Sequence, residues 1–169
     1  LVQQSVAVIT LGVADPDRAR RFYAKGFGWQ PVFEAPGILF YQMNGFVLGL
    51  WQREALEEDL RRTMPATSSG FTLAHNVAGP SEVQPLLERL AASGGMLLRA
   101  AEAPPHGGLR GYVADPDGHA WEIAWNPDWP IDAEGRVRFA APAGPETGPG
   151  SGAGSDAGTS PGQAAGSAG

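Results

Sequence analysis

Gly111 to Pro127 reads GYVADPDGHAWEIAWNP, two strand-like apolar runs on either side of a tight turn. Asp115-Pro116-Asp117-Gly118 suits a type I turn, with Asp at the first position, Pro presetting φ at the second and Gly at the fourth. The run after the turn, Ala120-Trp121-Glu122-Ile123-Ala124-Trp125, carries one acidic side chain. A carboxylate among such neighbours is costly to bury unless it is paired or used. Glu122 is therefore the first candidate for chemistry. The alternative is a hairpin carboxylate that accepts a hydrogen bond from a neighbouring strand.

Working outward, the same order of elements occurs twice. Val6–Val13 reads as a strand, and Asp15-Pro16 supplies an N-cap and a proline for the first helical position. Ala19, Phe22 and Tyr23 at i, i+3, i+4 mark the buried side of that helix, with Gly26 near its end. Gln30–Glu34, Ile38–Met43 and Phe46–Trp51 then read as strands, separated by Pro36-Gly37 and the hairpin signal Asn44-Gly45. Arg53–Arg62 reads as a connecting helix. The second pass opens with a strand at Phe71–Val77 and a capping-box pattern at Ser81 and Gln84. Val83, Leu86, Leu87, Leu90 and Ala91 give a core-facing helical stripe that ends at Gly94-Gly95. Strands at Met96–Arg99, Leu109–Ala114 and Ala120–Asn126 complete it.

The core is thus read as two βαβββ modules in tandem, an α+β fold. Residues 1–62 hold the first module with its connecting helix, and residues 63–139 hold the second. Two curved sheets facing each other across a pseudo-twofold axis would leave a ligand-sized cleft between the halves. Residues 140–169 are almost wholly Gly, Ala, Pro, Ser and Thr, a composition that cannot bury enough apolar surface to order itself and reads as a disordered tail.

Composition narrows the function. Twelve basic residues stand against 18 acidic ones, and no basic stripe with interleaved aromatics points to nucleic acid. The absence of cysteine excludes disulfides and thiolate chemistry. No run approaches transmembrane length and no secretory pattern opens the chain, so a cytoplasmic protein without a membrane partner is expected.

The opening LGVADPDRARRFYAKGFGW, the tandem βαβββ order and the closing ADPDGHAWEIAWNP together resemble the vicinal oxygen chelate superfamily, over about residues 5 to 129. That superfamily contains glyoxalase I, bleomycin-resistance proteins and extradiol dioxygenases. The resemblance implies a barrel-like, curved mixed sheet with a central cleft and a homodimeric assembly. It also implies four metal-ligand positions, commonly His, Gln or Glu, on the first and last strands of the modules. Here they fall on Val8, Gly49, Thr72 and Glu122. Only Glu122 is a competent ligand, and none of His75, His106 and His119 occupies such a position. No cofactor is therefore expected, and the alternative is a divalent metal held by Glu122 as its residual ligand.

Strand alternation assigns the faces. If Val8 points into the cleft, so do Thr10 and Gly12, joined by Thr72, Ala74, Asn76, Glu122, Ala124, Gly49 and Trp51. The expected ligand contacts are Thr10, Trp51, Thr72, Asn76 and Glu122. Trp51 would stack on an aromatic or cationic small molecule, and Glu122 would pair with a positive group. Against this, Trp51 would be core filler, and Thr72 and Asn76 would satisfy each other. Trp121 and Trp125 should pack under the helices and His75 should be a hydrogen-bonded core histidine. His119 should be solvated, and His106 lies in a loop that could cover the cleft. Two functions remain open: a metal-free binder of a small organic molecule, or a lyase- or isomerase-type enzyme with Glu122 as general base, its pKa raised by burial.

Overall fold

A computed structural model describes residues 3–65, 70–105 and 107–138. His106 and the expected tail 140–169 lie outside the described residues. The first module runs β1 (Val8–Val13), α1 (Pro16–Phe22), β2 (Phe33–Ala35), β3 (Ile38–Gln42) and β4 (Val47–Gln52), followed by α2 (Arg53–Leu60). The second runs β5 (Leu73–Asn76), α3 (Val83–Ala92), β6 (Met96–Glu102), β7 (Leu109–Ala114) and β8 (Ala120–Trp125). Each module forms its own four-stranded sheet, ordered β1-β4-β3-β2 and β5-β8-β7-β6, with the first strand parallel to the last and the other pairs antiparallel. The tandem α+β reading holds, and no barrel closes.

Local chemistry sets the element ends. Asp15 caps α1, its Oδ1 accepting from the backbone N–H of Asp17 at 2.9 Å and of Arg18 at 3.0 Å. These donors, led by Arg18, hold the Asp15 carboxyl below its ordinary range. The helix runs on into one π-helical turn, Tyr23–Phe27, which Gly28 ends in the left-handed region at φ +78°. Gly26 matters for its missing side chain. A Cβ there would lie 2.6 Å from Leu90 Cδ2, so its bareness lets the first helix lie against α3. The Ser81/Gln84 capping box does not form. Glu82 Oε1 accepts from Gly79 N–H at 2.9 Å and starts a 3₁₀ turn, Pro80–Glu82. Gln84 instead accepts from Ala101 N–H at 2.9 Å and ties α3 to β6.

One hydrophobic core serves both sheets. Leu11, Val13, Leu48 and Leu50 from the first sheet and Val113, Trp121 and Ile123 from the second share it with Phe22, Tyr23, Leu87 and Leu90. The first helix and α3 therefore lie between the sheets, and Arg89 Nε donates to Gly26 O at 2.7 Å across their contact. This corrects the expected facing of the cleft surfaces. The helix-covered faces look towards each other, and the faces carrying Thr10, Gly49 and Trp51, or Glu122 and Ala124, look outward on their own sheets. Ridge-and-groove burial of two amphipathic helices wins because each sheet has one apolar face to cover, and the helices cover both at once.

Candidate functional site

The outward face of the first sheet carries Thr10, Gly49, Trp51, Phe40 and Phe33. Thr10 pairs with Gly49, Gly49 with Phe40 and Phe40 with Phe33 across neighbouring strands. A Cβ at Gly49 would come within 3.2 Å of both Phe40 Cε1 and Thr10 Oγ1, so the missing side chain opens a shallow seat there. Phe33 stacks on Phe40 at 5.7 Å between ring centroids, yet Phe33 remains 51 % exposed and Val8 47 %. Trp51 is half-buried on this face and lies outside the shared core.

The outward face of the second sheet is polar. Glu122 is the direct cross-strand partner of Tyr112, and Arg110 is that of Ala124. Arg110 Nε approaches Glu122 Oε1 at 4.0 Å, and its guanidinium sits 5.9 Å over the Tyr112 ring. Arg110 Nη1 also lies 3.6 Å from Glu102, which pairs with Arg99. Burial and then the Glu122 charge hold the Tyr112 phenol above its ordinary value. Glu122 is 23 % exposed and partnered, which corrects the picture of an isolated, buried carboxylate. One donor is left over: Arg110 Nη1 is buried without a hydrogen-bond partner among the described residues.

The remaining candidates separate from these faces. Thr72 falls just outside β5, and its Oγ1 donates to Ala120 O at 2.9 Å, so Thr72 and Asn76 do not satisfy each other. Asn76 sits at the end of β5 and lines a cavity between the modules. His75 faces the core as expected and packs edge-on against Phe27 and Trp29, but it makes no hydrogen bond among the described residues. Burial, and then the charge of Arg89, lowers its pKa below the ordinary histidine value.

His119 is the clearest correction. It is 7 % exposed, and its Nδ1 lies 2.9 Å from Asp115 Oδ2. Asp115 also accepts from Tyr23 Oη at 2.9 Å, and Trp121 Nε1 donates to that phenol oxygen at 3.2 Å. The turn forms as read, with Gly118 N–H donating to Asp115 O at 3.0 Å. Its Asp117 reaches back to the first module, accepting from Ala14 N–H and Arg18 Nη2, each at 2.8 Å. The turn is a latch between modules, which is why the histidine beside it is dry.

The donor set does not fit a metal centre. Val8 and Gly49 offer no ligand atom, and the Thr72 hydroxyl is occupied by a backbone carbonyl. Among the described residues no three His, Cys, Asp or Glu side chains come together to hold a metal ion. None of their helices is long and apolar enough to cross a membrane.

Two helix-backed, open-faced sheets built from repeated βαβββ units define a tandem-module α+β protein with its polar groups presented on one bare sheet face. The sequence model of the Glyoxalase/Bleomycin resistance protein/Dioxygenase superfamily matches residues 5–123, and the chain belongs to that superfamily. A glyoxalase-related enzyme from Fulvimarina pelagi is 61 % identical, with a TM-score of 0.80 over 82 % of this chain and 100 % of that one. A glyoxalase/bleomycin resistance protein/dioxygenase family enzyme from Burkholderia phytofirmans PsJN shares 19 % identity, with a TM-score of 0.65 over 72 % and 98 %. Lactoylglutathione lyase from Agrobacterium tumefaciens shares 22 %, with a TM-score of 0.59 over 74 % and 96 %. The last two likenesses show the fold alone. No curated protein matches the chain.

Proposed function

We propose that the chain is a small-molecule binder that works without a resident metal, with Glu122 and Arg110 as its polar anchor. The observation that carries this reading is Arg110 Nη1, buried and making no hydrogen bond among the described residues, with Glu102 at 3.6 Å and Glu122 beside it on an outward sheet face. A buried donor left unpaired costs about 1–3 kcal/mol, and a ligand that accepts from it recovers that cost. Glu122 beside it accepts a positive group, so the pair suits a small zwitterion. The aromatic face of the first sheet supplies the apolar wall, and a second copy brings that wall opposite Glu122, because within one chain the two faces look away from each other. The reading therefore requires a homodimer, with β1 and β5, one edge strand of each sheet, available for the contact.

Calorimetric titration with L-phenylalanine, a zwitterion with a flat ring, tests it. Glu122→Gln and Arg110→Met should each weaken binding by about 10-fold or more, the scale of one charge-assisted contact, with the fold intact. Absent binding, or equal affinity in all three proteins, would remove the pair from the site.

A second reading, an enzyme with Glu122 as general base or residual metal ligand, draws on the 61 % identical relative being described as a glyoxalase-related enzyme. Metal content per chain, after purification without chelator and incubation with iron, manganese, nickel and zinc, separates the two. Occupancy near one ion per chain would sink the metal-free binder. Turnover that survives chelation would favour Glu122 as base.

A further inference from the structure

A cavity of about 460 Å³ lies between the modules at the β5 edge, lined in part by Ala74, the strand partner of Glu122. Trp29, Trp121 and His75 form its aromatic wall, and β5, an edge strand, runs along its side. Its roof is the segment from Ile131 to Arg138, which follows the last strand. Asp132 organises that roof: Oδ1 accepts from Arg136 N–H at 2.8 Å and Glu134 N–H at 3.1 Å, while Oδ2 accepts from Arg138 Nε at 2.8 Å. Asn44, in the β3–β4 turn, pins the roof to the first module by donating to Glu134 O at 2.7 Å. One side of the cavity is thus formed by chain that neither βαβββ unit needs for its own sheet.

Its charge runs against that of the protein. The chain carries a formal net charge of −6, yet among the described residues two arginines and no acidic residue line this cavity. Asp132 neutralises Arg138. Arg136 has only the amide oxygen of Asn44, at 3.3 Å, and no carboxylate partner among the described residues. The Asn76 amide and the His75 ring make no hydrogen bonds among the described residues, so each brings unspent donor and acceptor capacity to the wall. Trp29 stacks on Phe27 at 4.2 Å between ring centroids and stays half-buried, a fixed flat surface rather than a loose side chain.

We infer that this cavity binds a small planar aromatic carboxylate, its ring against Trp29 and its carboxylate on Arg136. The volume falls in the range of small-ligand pockets. A guanidinium lacking a counter-ion at the rim selects an anion, and the indole and imidazole wall selects a flat ring. Asn76 and His75 would supply the remaining hydrogen bonds. Neither Glu122 nor Arg110 lines this cavity, so the site stands or falls independently of the one above.

Titration of the protein with 2-naphthoate, followed by calorimetry and tryptophan fluorescence, is the test. Arg136→Gln, at an exposed position that leaves the core untouched, should weaken binding about 10-fold or more. The neutral analogue 2-naphthylmethanol should lose a similar factor on the unaltered protein, and Trp29→Leu should weaken binding and reduce the ligand-induced change in fluorescence to the share of Trp121. Equal affinity for 2-naphthoate in the parent and Arg136→Gln would overturn the assignment. So would loss of binding in Arg110→Met but not in Arg136→Gln, which places the carboxylate on the open face instead. Absence of saturable binding at millimolar ligand would overturn it as well.

Discussion

Tyr23 Oη donates a 2.9 Å hydrogen bond to Oδ2 of Asp115, 92 residues further along the chain and in the other module. The phenol is fully buried, and burial first, with the Asp115 charge behind it, pushes its pKa well above the ordinary value. The same oxygen accepts from Trp121 Nε1, so one hydroxyl holds the helix of the first module to β8 of the second. Tyr23→Phe strips a donor from a buried carboxylate and an acceptor from an indole. It should lower the unfolding free energy by about 1–3 kcal/mol, read from the urea midpoint at neutral pH. An unchanged midpoint would show that the Tyr23–Asp115 hydrogen bond adds nothing to the joint, leaving it to core packing and the Asp117 latch.

Tyr41 is the opposite case. Its ring is 1 % exposed, and its hydroxyl is buried with no hydrogen-bond partner among the described residues. Tyr41→Phe removes an uncompensated desolvation cost, so it should stabilise the protein by on the order of 1 kcal/mol. Burial, the leading cause, raises the Tyr41 pKa to about 12. The unfolded chain therefore releases this proton first as pH climbs past 10, and the folded state loses stability between pH 10 and about 12. The phenylalanine variant should lack that share of the alkaline decline in a pH series of melting curves.

His75 acts on the acid side. Its folded pKa lies below the ordinary value of 6.5, with burial as the first cause and Arg89 as the second. Above that value both states are neutral and the histidine costs nothing. As pH falls below it, the unfolded chain takes up the proton while the folded protein resists, so stability declines until the folded pKa is passed. His75→Gln should flatten the difference in urea midpoint between pH 7.5 and pH 5. A variant that follows the parent curve would assign the acid sensitivity elsewhere.

How far the sequence discloses these features depends on the range of the interaction. Local signals suffice where caps and turns are settled within a few residues: Asp15-Pro16 opens a helix, and Asp115-Pro116-Asp117-Gly118 makes its turn. The modules follow from strand and helix periodicity. Phe71–Val77 shortens to Leu73–Asn76, since an edge strand has one neighbour, β8, and pairs only where that neighbour reaches. The partners of Glu122 escape the sequence reading although a signal exists. Counting back from the turn pairs Ala114 with Ala120, hence Tyr112 with Glu122 and Arg110 with Ala124. His119 looks solvated in sequence because the turn's long-range contact, Asp117 with Ala14 and Arg18, leaves no local trace. The sandwiching of both helices between the sheets is likewise a property of the assembled core. The family positions Val8, Gly49, Thr72 and Glu122 therefore do not meet in one cleft within a single chain.

Two outward faces on one chain, the first covered by α2 and Met64 at its Gly12 end, bear directly on assembly. The first sheet leaves Val8, Phe33, Phe40 and Trp51 on an outward face, and the second leaves Glu122, Arg110 and Tyr112 on another. Strands β1 and β5 end their sheets without a neighbour, and exposed edges of this kind are ordinarily paired, covered or charged. Val6 is 63 % exposed and Val8 47 %, so β1 and its lead-in carry none of the charge that would protect an edge. In the proposed dimer, a twofold partner that set the first sheet of one copy against the second sheet of the other would cover β1 and β5 and create two equivalent cups, each with an aromatic wall and a Glu122–Arg110 wall. Sedimentation equilibrium should give a dimer at micromolar concentration. Val8→Lys places a charge on the edge strand without touching the core and should shift the protein towards monomer. The same variant should lose L-phenylalanine binding in proportion, because half of each cup leaves with the partner. A monomeric Val8→Lys protein that still binds L-phenylalanine with parental affinity would show that one chain's polar face suffices, and the shared cup would be wrong.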